Sequence, residues 1–196
     1  MKCVAGKTCS KQNAIFEINR QDAIVPTECE IGKIREITGY FQYRAPNLEA
    51  PKSQELNGEF QEEPLAQILG RFKENYSFTN SEYFNNELKS KALDGNNLCD
   101  GCKRFVCLKK NDGGKESDLD CLLRHIRNAV AHGHVYIFHA GNHISICLED
   151  AEGEKTKARI ICNQADLIKA REYLIAAIKK QNEQGKYKGV DPTCPA

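Results

Sequence analysis

The chain has 196 residues, enough for one domain with a full core or for one domain plus a small appendage. Hydrophobic residues make up 40% and charged residues 28%, and a formal net charge of +1 excludes an overall basic field as a source of nucleic-acid affinity. Residues 1–98 hold 12 Lys+Arg against 14 Asp+Glu and the remainder 16 against 13, so any such affinity has to come from a local patch. Ten cysteines are many for this length, but the N-terminal Met1 to Lys7 has no apolar run behind its charges. No segment approaches the roughly 20 apolar residues of a membrane helix. The expectation is a cytoplasmic protein with reduced thiols and no disulfide framework.

Residues 1–60 carry the weakest pattern and read as an N-terminal extension. Ala14 to Ile18 alternates as a short strand would, and Ile31 to Tyr43 mixes apolar and charged residues without a clean period. Arg44 to Phe60, with two prolines and two asparagines, reads as a linker. Residues 61–180 then read as the main domain. Pro64 suits the first turn of a helix that puts Leu65, Ile68, Leu69 and Phe72 on one face. A second helix is expected over Asn80 to Leu93, with Tyr83, Phe84, Leu88 and Ala92 inward. Asp94 to Asn97 and Asn111 to Gly114 break the pattern.

The clearest element follows. Ser117 is a good N-cap with Asp120 three residues on, and Leu119, Leu122, Leu123, Ile126, Ala129 and Val130 make one stripe at spacings of three and four. Gly133 stands where a left-handed residue ends a helix. Val135 to Phe138 and Ile144 to Leu148 flank a turn as a hairpin does, and Ala158 to Cys162 adds a third apolar stretch, giving a hairpin region over about 135–162. Asn163 caps a last helix carrying Leu167, Leu174 and Ile178, and the polar residues 181–196 read as a disordered tail.

On a wheel of residues 118–132, Asn128, His132 and Arg124 project away from the apolar stripe, His125 lies at their edge, and Arg127 falls on the flank. A solvated face is the bland reading of any one of these residues. Three histidines, 125, 132 and 134, at one helix end and small alanines at 129 and 131 argue for more. Arginine grips a phosphate with a planar fork, while histidine, with an ordinary pKa of about 6.5, moves protons near neutrality.

The run Arg127-Asn-Ala-Val-Ala-His132, with Leu123-Arg-His-Ile ahead and Gly133 behind, resembles the Arg-(polar)-x-x-x-His motif of the HEPN superfamily. The resemblance is dense over 117–148 and extends through the last helix. It implies a mainly α fold, a compact antiparallel helical bundle with a β-hairpin or small sheet inserted before the last helix. It also implies a homodimer in which two such helices face each other. Arg127 and His132 are five apart, about 140° around a helix and about 7.5 Å along it, so they converge poorly within one helix but can meet across a two-fold axis. The implied activity is metal-independent RNA cleavage with no cofactor. His132 would be the general acid or base for 2′-hydroxyl attack, Arg127 would stabilise phosphoryl charge, and Asn128 would orient the imidazole or the phosphate. Arg124 and His125 are expected to bind substrate. Family use as a toxin or anti-phage defence factor brings an antitoxin protein into view as a partner; a catalytically silent module that binds RNA or protein is the alternative.

Cys99-x-x-Cys102 with Cys107, followed by Cys121 and His125, resembles half of a zinc knuckle, but no second pair follows at the usual distance, and small buried thiols are the preferred reading. No metal site is assigned. His139 and His143 flank the hairpin turn, and Lys109, Lys110 and Lys115 stand where they could steer a phosphate backbone.

Overall fold

The computed structural model describes residues 15–19, 22–24, 32–46, 56–73, 75–90, 93–99, 105–110, 116–140 and 143–185, and for 15–17, 81, 97–99, 105–107, 139, 140 and 143 the backbone course alone. In chain order these form β1 (Ile15–Glu17), α1 (Gly32–Tyr43), a 3-10 turn (Gly58–Phe60), α2 (Glu62–Gly70), β2 (Tyr76–Thr79), α3 (Ser81–Ser90), β3 (Asn97–Cys99) and β4 (Phe105–Lys109). They continue with α4 (Asp118–Ala131), β5 (Val135–Ala140), β6 (His143–Glu152), β7 (Lys155–Asn163) and α5 (Gln164–Glu183).

The strands β5, β6 and β7 follow one another as an antiparallel meander. β4 and then β2 extend its edge, giving the order β2-β4-β7-β6-β5. β4 runs antiparallel to β7, whereas β2 runs parallel to β4, because α3 and β3 carry the chain back between them. β1 and β3 form a separate antiparallel ribbon.

The period of two along each strand sorts the sheet into two faces. Val135, Ile146, Leu148, Ala158, Ile160 and Cys162 point to the side of α4 and α5, where they join the main core. Tyr136, Cys147 and Ile161 point the other way, against Phe84 and Leu88 of α3 and against Ile18 and Leu93. Buried charge on that second face is paired: Arg159 donates to Glu149 Oε1 from Nε (3.0 Å) and Nη2 (2.8 Å), and its Nη1 reaches the carbonyls of Leu93 and Gly95.

The mainly α, antiparallel bundle expected from the sequence is therefore incorrect; the fold is α+β, with five helices and a five-stranded mixed sheet among the described residues. The hairpin region over 135–162 is present, but two further strands widen it. β2 and β4 are only four and five residues long, and each becomes a strand through a partner distant in sequence.

The linker ahead of α2 is bridged by core packing. Ile34, Ile37, Tyr40 and Phe41 of α1 share one core with Leu119, Leu122, Leu123 and Ile126 of α4 and with Leu174 and Ile178 of α5. Thr38 sits inside this stripe and hides its period. Its hydroxyl donates to the Ile34 carbonyl at 2.8 Å, which lets a polar residue occupy a core position.

Candidate functional site at the end of helix α4

Helix α4 begins where its cap dictates. The Ser117 hydroxyl oxygen accepts from the Asp120 N–H (3.1 Å) and its hydrogen goes to the Asp120 carboxylate (2.6 Å). All six residues of the apolar stripe are buried. At about 1.5–3 kcal/mol for each large side chain, packing on β6 and α1 outweighs a cap worth about 1 kcal/mol. Packing fixes where the helix lies; the cap fixes where it starts.

The C-terminal end is a Schellman closure. Gly133 takes φ +69°, its N–H donates to the Val130 carbonyl (3.2 Å), and the His134 N–H donates to the Ala129 carbonyl (2.8 Å). This turn puts His132 at the C-cap, exposed, with the His134 ring 6.2 Å away and tilted by 36°. His134 is half-buried, and its Nδ1 is enclosed without a hydrogen-bond partner among the described residues. The chain then enters β5, secured by the Glu149 N–H on the His134 carbonyl (3.0 Å).

Below this end lies Asp150, at a register shift between β6 and β7 and on the sheet face that meets α4. Its Oδ2 accepts from His125 Nδ1 (2.7 Å) and from Asn128 Nδ2 (3.0 Å). Burial alone raises a carboxyl's pKa, but the hydrogen bonds from His125 and Asn128 and the charges of His125 and Lys157 outweigh it and hold Asp150 below the ordinary range. His125 Nε2 meets the Lys109 carbonyl at 2.7 Å. The ring is thus held at both nitrogens, by the Asp150 carboxylate and the Lys109 carbonyl.

The sequence-predicted residues thus separate. His132 is exposed as expected. Asn128 shares its helix face but is oriented by Asp150. His125 was placed at the edge of the polar face; it is 1% exposed, and the same i to i+3 spacing that aligns it with Asn128 turns both onto the sheet. In the fold it acts as a buried strut between α4 and the sheet. Arg124 is held in a two-pronged ion pair with Glu116 (Nε–Oε1 2.5 Å, Nη2–Oε2 3.0 Å) and donates to the Lys109 carbonyl (3.2 Å). Arg127 reaches the end of α1, with Nη2 donating to the carbonyls of Ala45 (3.1 Å) and Pro46 (3.5 Å).

Asp150 escaped sequence reasoning, whereas His134 was named with His125 and His132 but without its geometry. Asp150 carries a legible signal, a carboxylate on the same parity as Ile146 and Leu148. His134 is brought beside His132 only by the left-handed turn at Gly133.

Among the described residues no cluster of three or more His, Cys, Asp or Glu could hold a metal ion. Cys121 and Cys147 are buried, and burial pushes both thiols up to about 12, so they behave as small apolar groups. The side chains of Cys99, Cys107, His139 and His143, and all of Cys102 and Lys115, lie outside the described residues. Lys110 pairs with Asp118 at 2.6 Å, at the start of α4. No helix among the described residues is long and apolar enough to cross a membrane.

A family model described as HEPN pEK499 p136 matches residues 48–185, which includes α2 to α5 and all of the five-stranded sheet. The chain belongs to this HEPN family. Membership directs the function of this HEPN chain towards nuclease or RNA-binding roles. The Arg127 to His132 run lies inside the matched region, whereas α1, which completes the core, lies ahead of it. No curated protein and no solved structure matches the chain.

Proposed function

We propose that this HEPN protein is a metal-independent endoribonuclease, of the kind used as toxins or in anti-phage defence, whose centre is the C-terminal end of α4. The observation that carries the reading is the exposed imidazole of His132 on a fixed C-cap, with the His134 ring 6.2 Å away. His132 takes the proton from a ribose 2′-hydroxyl, and the 2′-oxygen attacks the adjacent phosphorus. The bond to the 5′-oxygen breaks, leaving a 2′,3′-cyclic phosphate. The leaving oxygen takes up a proton, for which His134 is a second carrier. Asn128, oriented by Asp150, lines the approach to His132, and Arg127 offsets charge on the phosphoryl oxygens.

Arg127 is directed towards α1, which supports a composite centre: the second copy in a homodimer would bring its own Arg127 or His132 to complete the site. Cleavage of a labelled single-stranded RNA in excess chelator tests the proposal. The expected result is cyclic-phosphate ends, with His132→Ala slower by about 100-fold or more at an unchanged melting temperature. Wild-type cleavage rates in that variant would end the assignment.

One observation favours a second reading, a catalytically silent RNA- or protein-binding module. The side chains of Arg124, Arg127 and Asn128 all make contacts within the fold that a structural role would explain. RNA retained without cleavage under the same conditions would select it.

A further inference from the structure

Helices α1 and α5 enclose a groove of about 540 Å³ that takes no part in the centre described above. That volume lies within the range of small-molecule and nucleotide sites. Arg35, Tyr40, Tyr43 and Arg44 line it from α1 and the turn that follows, and Arg171 lines it from α5. Glu36 is the one acid among its described lining residues, and it already pairs with Arg171 Nη1 at 2.5 Å, which leaves the groove net basic.

Two donors in the groove are left over. The Tyr40 hydroxyl and the Arg171 Nε are both buried, with no hydrogen-bond partner among the described residues, and Tyr40 is only 6% exposed. Burial raises the Tyr40 phenol, against a smaller pull from Arg171, so it is a neutral donor at any physiological pH. Buried donors without acceptors are costly, and a cradle of them beside arginines suits an anion. At the rim, Tyr43 is 62% exposed, a large aromatic face left open among the described residues. Gly39 forms part of the wall, and its Cβ position meets nothing within 4 Å, so the space beside it is open.

We propose that this groove seats one nucleotide of a single-stranded RNA, its phosphate on Arg44, Arg171 and the Tyr40 hydroxyl and its base on the ring of Tyr43. Arginine and an exposed aromatic ring are the residues that hold single strands without reading sequence. The groove is also joined to the centre on α4. Arg127 donates to the carbonyls of Ala45 and Pro46, immediately after Arg44, which ties the end of α1 at the groove to the helix that carries the centre. The nucleotide held is one that flanks the cleaved bond, and in this respect the inference rests on the ribonuclease reading.

Fluorescence anisotropy with a short fluorescein-labelled oligouridylate tests it, on full-length protein carrying His132→Ala so that the probe survives. Tyr43→Ala is expected to weaken binding about tenfold through lost stacking. Arg44→Gln should weaken it and lower the slope of log affinity against log salt by about 0.7, the value for one phosphate contact on a single strand. Tyr40→Phe removes one hydroxyl and should also weaken binding. Unchanged affinity in Tyr43→Ala and Arg44→Gln, both correctly folded by circular dichroism, overturns the groove. So does conversion of a dimer to a monomer by Tyr43→Ala, which would make this face a contact between copies. Groove-dependent binding by a wild type that never cleaves would retain the groove and remove the nuclease, whereas cleavage with groove-independent binding would do the reverse.

Discussion

An aspartate on the inward face of a strand needs donors, and Asp150 takes two of them from α4, His125 and Asn128. Because these bonds hold its carboxyl below the ordinary range, the native state gains stability above the unfolded value of about 3.9, and that gain is lost as pH falls below it. Urea midpoints measured between pH 7 and pH 3 should therefore drop less steeply in Asp150→Asn than in the wild type; equal slopes would remove the carboxylate from the account. His125→Ala, which removes one of the two donors to a carboxylate only 3% exposed, should cost about 1–3 kcal/mol, whereas His132→Ala at the surface should cost little stability. The two histidines are seven residues apart on one helix face, and nothing in their local sequence separates them. The sheet beneath does, because it supplies Asp150 and the Lys109 carbonyl to one and leaves the other in solvent.

Helix α4 shows which features of an element act locally. Ser117 and Gly133 are both legible, since a cap needs only its own turn and a left-handed residue only its own φ. Gly133→Ala should cost about 1–2 kcal/mol from backbone conformation alone, because the added Cβ would find only the Ile24 carbonyl, at an ordinary 3.8 Å. Its cleavage rate should fall further than stability explains, since the same turn places His132 beside His134. Ser117→Ala should cost about 1 kcal/mol and leave cleavage at low temperature unchanged. Equal effects of the two variants on cleavage, at matched stability, would mean that the closure at Gly133 has no part in the chemistry. Helix α1 was less legible because Thr38 interrupts its stripe, and its satisfied hydroxyl is visible only once the helix exists.

At the scale of the whole molecule, the proposed centre depends on a second copy, which makes complementation the sharpest check. Neither Arg127→Ala nor His132→Ala should cleave RNA alone. After mixing and subunit exchange, half the dimers should hold one site with both residues intact, restoring about a quarter of wild-type activity. A mixture that stays silent while exchanging subunits would confine the centre to one copy. The sequence alone determined the polar end of α4, its cap, its closing glycine, the strand pair after it and the family resemblance, since each rests on residues within a turn or a hairpin of one another. Only the tertiary structure decided that β2 and β4 widen the hairpin region into a five-stranded sheet, that α1 completes the core, and that His125 is a strut. Those outcomes depend on contacts between distant segments, such as Lys109 with His125 and Ile34 with α4, and no local pattern of side chains encodes which distant partner a segment will meet.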